Sequence, residues 1–158
     1  MALDREQDPI DYEALAEFRF HIRKFIRFSE RAAREAGVEP QQHQLLLAVK
    51  GIPRDVLPTI GEVARRLQVV HHSAVELVDR LEELGLIQRR RSSEDRRQVL
   101  LSLTPKGERV LRDLSVHHRS ELQASGPELA SALRRLLSAG PRSEAAKTAK
   151  SRARPAKA

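Results

Sequence analysis

Cysteine is absent from this chain, and aromatic residues are scarce. Among its 158 residues there are no Cys, no Trp, one Tyr and four Phe. Without thiols, disulfide bonds, zinc sites built on thiolates and sensing by cysteine oxidation are excluded. No stretch approaches the roughly 20 apolar residues that a membrane span needs, and the polar, acidic start lacks the apolar core of a signal peptide. We therefore expect a cytoplasmic protein with no membrane partner.

Recognisable catalytic motifs are also missing. The chain has no Gly-rich phosphate loop after a strand, no His-Glu-x-x-His and no Ser with a base at a known spacing. Two histidine pairs stand out, His71-His72 and His117-His118. Side chains at consecutive helical positions face about 100° apart, which disfavours a shared metal. We expect neither an enzyme nor a bound metal or cofactor.

The positive charge is concentrated at the C-terminal end. Residues 139–158 hold six Lys or Arg and one Glu, a net +5, so the rest of the chain carries only +2 of the total +7. This segment has no large apolar residue and is predicted to be a disordered basic tail, which would add salt-sensitive attraction to DNA without sequence preference. Residues 11–138 are predicted to form a single domain, preceded by a flexible N-terminus over residues 1–10.

A helix-turn-helix is predicted within residues 57–85. Thr59, with Glu62 three residues on, has the spacing of a capping box and starts a short helix that ends near Leu67. A second helix ends at Gly85, and its apolar stripe is Ala74, Leu77, Val78, Leu81 and Leu84. The second helix of such a pair enters the major groove. Its candidate DNA contacts are His71, His72, Ser73, Glu76 and Arg80.

A basic β-hairpin is predicted to follow. Strands at 86–88 and 98–103 flank the tip Arg89–Arg97, which holds five arginines and two acids. Val99, Leu101 and Leu103 alternate as in a half-buried strand. A charge run is usually a solvated face, but a hairpin of arginines beside a helix-turn-helix can straddle the DNA backbone and place an Arg in the minor groove. The candidate contacts are Arg91, Arg96 and Arg97.

Helices are predicted on both sides of this region. An amphipathic helix over residues 11–37 carries every aromatic residue and is expected to bury its rings, and Phe20 and Phe28 lie off its main stripe, which suggests a second partner such as another subunit. A short helix runs from Pro40 to about Lys50. Another starts at Thr104-Pro105 and is predicted to break at Gly126-Pro127, where Ser125 and Glu128 would cap a final helix. Its leucines, 129, 133 and 136, would be poorly covered in a monomer, so we expect a homodimer.

The run from Thr59 through Thr104 resembles the MarR family of bacterial transcriptional regulators. The resemblance rests on the helix of residues 75–87, on Asp95-Arg96-Arg97, and on Leu103-Thr104-Pro105-Lys106-Gly107. It implies a mainly α fold, with a winged helix-turn-helix over residues 40–104 flanked by dimerisation helices at 11–37 and 105–138. By the same resemblance, Arg97 would enter the minor groove and Asp95 would orient it by a salt bridge.

The resemblance also implies a function. The expected protein is a sequence-specific homodimeric repressor that binds a pseudo-palindromic operator on double-stranded DNA and is released by a small aromatic effector. Candidate pocket residues are Phe18, His21 and Phe25, although for His21 a simple buried histidine is the commoner outcome. The candidate dimerisation residues are Tyr12, Leu15, Leu129, Leu133 and Leu136.

Two departures from the family pattern bear on specificity. Val70, His71 and His72 stand where many members have small polar residues, and Glu76 stands where a basic residue is common. Glu76 can accept a bond from a cytosine amino group, but an intrahelical pair with Arg80 is the favoured expectation. Two other classes stay open: a non-specific architectural DNA-binding protein, and a winged-helix protein-interaction module.

Overall fold

The computed structural model describes residues 10–93, 95 and 97–138. The predicted basic tail and all but the last residue of the predicted flexible N-terminus lie outside these described residues. In chain order the elements are α1 (Tyr12–Glu35), α2 (Pro40–Lys50), α3 (Ile60–Leu67), α4 (His71–Glu83), β1 (Ile87–Arg91), β2 (Val99–Leu103) and α5 (Pro105–Ser138).

The elements fall into two compact units. The winged unit spans residues 24–124, and the terminal unit comprises the described residues 10–23 and 125–138. None of the described helices has the length and apolarity to cross a membrane.

The core of the winged unit confirms the apolar stripes predicted for the helix-turn-helix. Val63 of α3 and Leu77, Val78 and Leu81 of α4 are all buried in it. Leu84 is the exception, at 42% exposed, because it caps the end of α4, where the chain turns into β1. Gly85 has φ of 67°, the left-handed conformation expected of it.

The capping box predicted at α3 is only half formed. The Thr59 hydroxyl accepts a hydrogen bond from the Glu62 N–H at 3.2 Å. The Thr59 N–H, however, donates to the Leu57 carbonyl at 2.8 Å, so it does not need the Glu62 carboxylate. That carboxylate binds Arg65 and Arg66 instead.

The first strand of the wing is longer, and its tip is shorter, than predicted. Arg89, Arg90 and Arg91 lie in β1 and pair antiparallel with Leu101, Leu100 and Val99 of β2. The Leu101 N–H also donates to the Pro58 carbonyl at 2.8 Å, which joins the hairpin to the segment before α3. Leu101 is buried, whereas Val99 is 36% exposed, so only the base of the hairpin packs on the core.

The break predicted at Gly126-Pro127 is wrong. Residues 105–138 form one helix with Pro127 inside it, so Ser125 and Glu128 do not start a new helix. A proline removes a single backbone donor and kinks a helix without ending it when the flanking turns favour helix on both sides.

The expectation that α1 buries its rings is met only in part among the described residues, where Phe18, Phe25 and Phe28 are partly buried. The buried residues of α1 are small, namely Ala14, Ser29, Ala32 and Ala33, whereas Phe20 is 53% and Tyr12 72% exposed. The helix begins as predicted, with the Asp11 carboxylate accepting the Ala14 N–H at 2.8 Å, and Gly37 (φ 79°) follows its end.

Candidate nucleic-acid interface

The first turns of α4 present a polar surface. His71, His72 and Glu76 are exposed, Ser73 is partly exposed, and Arg80 is exposed one turn further on. His72 Nε2 lies 3.2 Å from Glu76 Oε1. The predicted pair between Glu76 and Arg80 is wrong, because Arg80 forms no ion pair with any residue that the structure describes.

One contact that joins α4 to the wing was missed by the sequence reasoning. The guanidinium of Arg89, on β1, bonds to the carboxylates of both Asp79 and Glu82 on α4. The Arg89 N–H also donates to Glu82 Oε1 at 3.3 Å. Because the partners are seven and ten residues apart and lie on different elements, no helical or strand spacing predicts the contact. It fixes the direction of the hairpin relative to α4.

The wing tip is organised by Ser92 and Asp95. The Asp95 N–H donates to the Ser92 hydroxyl at 3.3 Å, and the Gln98 N–H donates to the Asp95 carbonyl at 2.9 Å. The Asp95 carboxylate accepts the backbone N–H of Arg97 at 2.9 Å. The expected salt bridge is not formed between these two described side chains, so Asp95 shapes the turn from which Arg97 projects. Arg91 and Arg97 are exposed, and Arg96 lies outside the described residues.

The segment Leu103–Gly107 holds the end of α4 in place. The Thr104 hydroxyl donates to the Gly85 carbonyl at 2.6 Å, and the Thr104 N–H donates to the Leu86 carbonyl at 3.0 Å. Lys106 Nζ donates to the Leu84 carbonyl at 2.8 Å. A Cβ on Gly107 would lie 2.0 Å from the Leu86 carbonyl oxygen, so only glycine permits this approach. Carbonyls left open at the end of α4 are thereby satisfied.

The arginines of α3 are partly neutralised. Hydrogen bonds from Arg65 and Arg66 lower the pKa of Glu62 to about 2. The carboxylate is therefore ionised at neutral pH, and it binds both arginines on the α3 surface.

Two buried histidines and two partly buried phenylalanines form a cluster in the winged unit. The His43 and His118 rings stack at 4.8 Å, and the edges of Phe25 and Phe28 meet His118 at 6.0 and 5.8 Å. Burial, and secondarily the charge of His118, lower the pKa of His43 to about 4. His43 Nδ1 and His118 Nε2 have no partner among the described residues. Burial also lowers the pKa of His118, so both rings are neutral at pH 7.

The predicted pocket residues do not share one described cleft. Phe18 and His21 belong to the terminal unit, where His21 Nε2 lies 3.5 Å from a Glu17 carboxylate oxygen. Phe25 lies in the winged unit, beside a cleft that is also lined by Ile26, Ser29, Glu30, Pro40, Gln41 and Gln44. A second cleft of the winged unit is lined by Phe28, Arg31, Ala32, Glu35, His117, Ser120, Glu121 and Ala124.

The terminal unit exposes large apolar side chains. Of the predicted dimerisation residues, Tyr12 is 72%, Leu15 40% and Leu133 39% exposed, while Leu129 and Leu136 are half-buried. Arg135 binds Asp11 at 2.9 Å and Glu13 at 3.4 Å, which ties the two segments of the unit together.

Known proteins share this arrangement of a helix-turn-helix and a wing. A sequence model described as "MarR family" matches residues 36–98, the part of the chain that holds the helix-turn-helix and most of the wing. These residues match the winged helix of the MarR family. Within the residues that the structure describes, no group of three or more His, Asp or Glu is placed to hold a metal.

A curated relative and solved structures show the same likeness. The helix-turn-helix transcriptional regulator YsmB of Bacillus subtilis is 29% identical over 65 residues, or 41% of this chain and 44% of that protein. The match thus spans less than half of that relative's length. A point mutant of MepR from Staphylococcus aureus, bound to an oligodeoxyribonucleotide, is 20% identical, with a TM-score of 0.60 over 82% of this chain and 98% of that one.

A third protein of the MarR fold extends the comparison. The apo form of wild-type MarR from Escherichia coli is 20% identical, with a TM-score of 0.60 over 78% of this chain and 93% of that one. At these identities the likeness establishes the fold. The share of each chain covered shows that it extends beyond the winged helix into the flanking helices.

Proposed function

We propose that this protein is a sequence-specific, DNA-binding transcriptional regulator that acts as a homodimeric repressor. The observation that carries the proposal is the link through Arg89 between the polar face of α4 and the arginine-bearing wing. A recognition helix and a wing must keep a fixed angle to enter neighbouring grooves of one duplex. The likeness to MepR, which was solved with an oligodeoxyribonucleotide, supports the same use of the surface.

In this proposal α4 and the wing contact different parts of the DNA. The first turns of α4, from His71 to Arg80, lie in the major groove and contact base edges. Arg97, at the exposed wing tip, enters the minor groove, and Arg91 contacts the sugar-phosphate backbone. Arg96 is assigned to the wing contacts by its place in the sequence. Such a regulator acts on the bacterial chromosome, so its place is the cytoplasm.

The homodimer in this proposal is formed by the terminal unit. The exposed side chains of Tyr12, Leu15 and Leu133 need a cover that the described part of the chain does not supply. A two-fold axis through this surface would present two recognition helices to successive major grooves, which matches a pseudo-palindromic operator.

An effector of small aromatic acid type has a candidate place in the winged unit. The Arg31 guanidinium lies 5.9 Å from the centre of the Phe28 ring, and both residues line a cleft with His117 and Ser120. A ring and a hydroxyl suit an aromatic effector, and its carboxylate would replace that of Glu35, which also lines the cleft and lies 3.8 Å from Arg31. We place the effector in this cleft, and Phe18, His21 and Phe25 stay candidates from the sequence alone.

Fluorescence anisotropy at about 150 mM salt, near physiological ionic strength, tests the function. The intact chain and a chain ending at Ser138 are titrated with a duplex from upstream of the reading frame and with a shuffled duplex of equal composition. We expect a preference for the native duplex that survives truncation. Adding benzoate to the same assay tests release by an effector.

Other results would support the competing functions. Equal binding of both duplexes that is lost on truncation would make the basic tail a non-specific DNA binder. Absence of binding by either chain to a tiled library of genomic duplexes would favour a protein-interaction module.

A further inference from the structure

The carboxylates on the outward face of α4 have different partners. Asp79 and Glu82 both bind Arg89, so their charge is neutralised within the protein. Glu76 is 53% exposed, and no arginine or lysine pairs with it among the described residues. Its neighbour is the His72 ring, one helical turn earlier, which is itself 83% exposed. Glu76 is thus an available carboxylate at the centre of the proposed DNA-binding face.

A carboxylate in this place needs a hydrogen-bond donor on the DNA, because the phosphates and most base edges of the major groove repel it. Guanine presents two acceptors there, thymine an acceptor and a methyl group, and adenine a donor beside an acceptor. Cytosine presents only the donor N4–H₂ group. Glu76 Oε1 faces His72, and Oε2 has no partner among the described residues, so one oxygen is available for that group.

We propose that Glu76 selects a cytosine in each half-site of the operator. The inference rests on the proposed function and adds a base identity to it. If the carboxylate were only half of an intrahelical pair with His72, it would oppose binding to every sequence equally. If it accepts the cytosine amino group, its replacement changes which base is preferred at one position of the half-site.

Selection of bound duplexes from a randomised pool tests this with the full-length chain. Three proteins are compared: wild type, Glu76→Gln, and Asp113→Asn, which removes the same charge at an exposed position of α5 outside the DNA-binding face. We expect wild type and Asp113→Asn to share a motif with cytosine at one position of each half-site. At that position another base should lower wild-type affinity about tenfold. Glu76→Gln should prefer adenine there, since an amide bonds both N6 and N7.

The outcomes separate this inference from the function on which it rests. A wild-type motif that Glu76→Gln leaves unchanged at every position overturns the role of Glu76 and leaves the regulator intact. A change that Asp113→Asn reproduces would assign the effect to net charge and would also overturn it. If wild type selects no motif, the proposed function fails, and the base assignment fails with it. Circular dichroism of each variant verifies that the exposed substitutions leave the fold unchanged.

Discussion

At the scale of single residues, Gly107 is the described glycine with the least space for a side chain. Its missing side chain lets α5 approach the Leu86 carbonyl, where an added Cβ would be only 2.0 Å from the oxygen. The backbone of Leu86 cannot retreat easily, because its carbonyl also accepts the Thr104 N–H. This close approach explains why a glycine follows Leu-Thr in the sequence.

Gly107→Ala is therefore expected to lower the free energy of unfolding by about 2 kcal/mol or more, since overpacking against rigid neighbours costs in this range. Urea titration measures the change. Gly61→Ala is the matched control: its Cβ would meet only the Thr59 hydroxyl at 3.9 Å, and the substitution should be neutral or slightly stabilising. Equal effects of the two substitutions would contradict the close approach.

His43 gives the winged unit a pH dependence. Its pKa is about 4 in the folded chain because of burial and the charge of His118, against about 6.5 for an unperturbed histidine. Between these two pH values the unfolded chain binds more protons at His43 than the folded chain does. The contribution of neutral His43 to the free energy of unfolding is therefore fully present above pH 6.5 and is lost as the pH falls toward 4. Between about pH 7 and pH 5 the loss attributable to His43 should be about 2 kcal/mol.

The variant His43→Gln is expected to remove most of this slope, measured as the difference in unfolding free energy between about pH 7 and pH 5. His72→Gln removes a histidine that is 83% exposed and should leave the wild-type slope unchanged. A wild-type slope in His43→Gln would show that other groups cause the acid sensitivity.

At the scale of elements, Arg89 orients the wing. It bonds Asp79 and Glu82 at the surface, where ion pairs contribute little to stability, about 1 kcal/mol or less. Loss of Arg89 should affect DNA binding more strongly. Asp79 and Glu82 would then carry unpaired negative charge on the recognition helix, and the hairpin would no longer be held at a fixed angle to it.

We expect Arg89→Gln to lower operator affinity by on the order of tenfold while changing the unfolding free energy only slightly. Arg109→Gln, an exposed arginine of α5, controls for the lost positive charge. Anisotropy and urea titration on the same samples separate the two effects. A large loss of stability with unchanged affinity would make Arg89 a structural residue only.

Because Pro127 lies inside α5, its replacement should change the stability of that helix. Inside a helix a proline lacks the N–H that would bond the preceding turn and costs roughly 3 kcal/mol relative to alanine. Pro127→Ala should therefore raise the midpoint of thermal unfolding. Pro105→Ala, at the first position of the same helix, should change little because no donor is needed there. A lower midpoint for Pro127→Ala would indicate that the proline ring is needed for packing.

The elements also show what local sequence determines. Helices α2, α3 and α4 were predicted within a few residues because apolar spacing and caps such as Thr59 and Gly85 act over one or two turns. The continuity through Pro127, the position of Arg89–Arg91 in a strand and the tie to Asp79 depend on partners distant in sequence. The pairing of Glu76 failed for another reason: Arg80 and His72 both lie four residues away, so spacing cannot choose between them, and the structure brings His72 to 3.2 Å.

At the scale of the whole molecule, the exposed apolar surface of the terminal unit is its most consequential feature. Tyr12, Leu15, Leu133 and Leu137 are between 39% and 74% exposed, and Arg135 holds the segments that carry them together. A charge placed within a dimer interface must be desolvated without a partner, whereas the same charge on a free surface stays hydrated. The response to such a charge therefore distinguishes an interface from an ordinary apolar surface.

Leu133→Asp is expected to convert a dimer into a monomer of 17.9 kDa, measured by light scattering after gel filtration. Leu47→Asp, on α2 of the winged unit, changes a leucine of similar exposure, 46%, and should remain dimeric. Because a dimer binds both half-sites at once, the monomer should lose about a hundredfold in affinity for a palindromic duplex and much less for a single half-site. A dimeric Leu133→Asp would place the subunit contact elsewhere, and a monomeric variant with undiminished affinity would show that one winged unit suffices for binding.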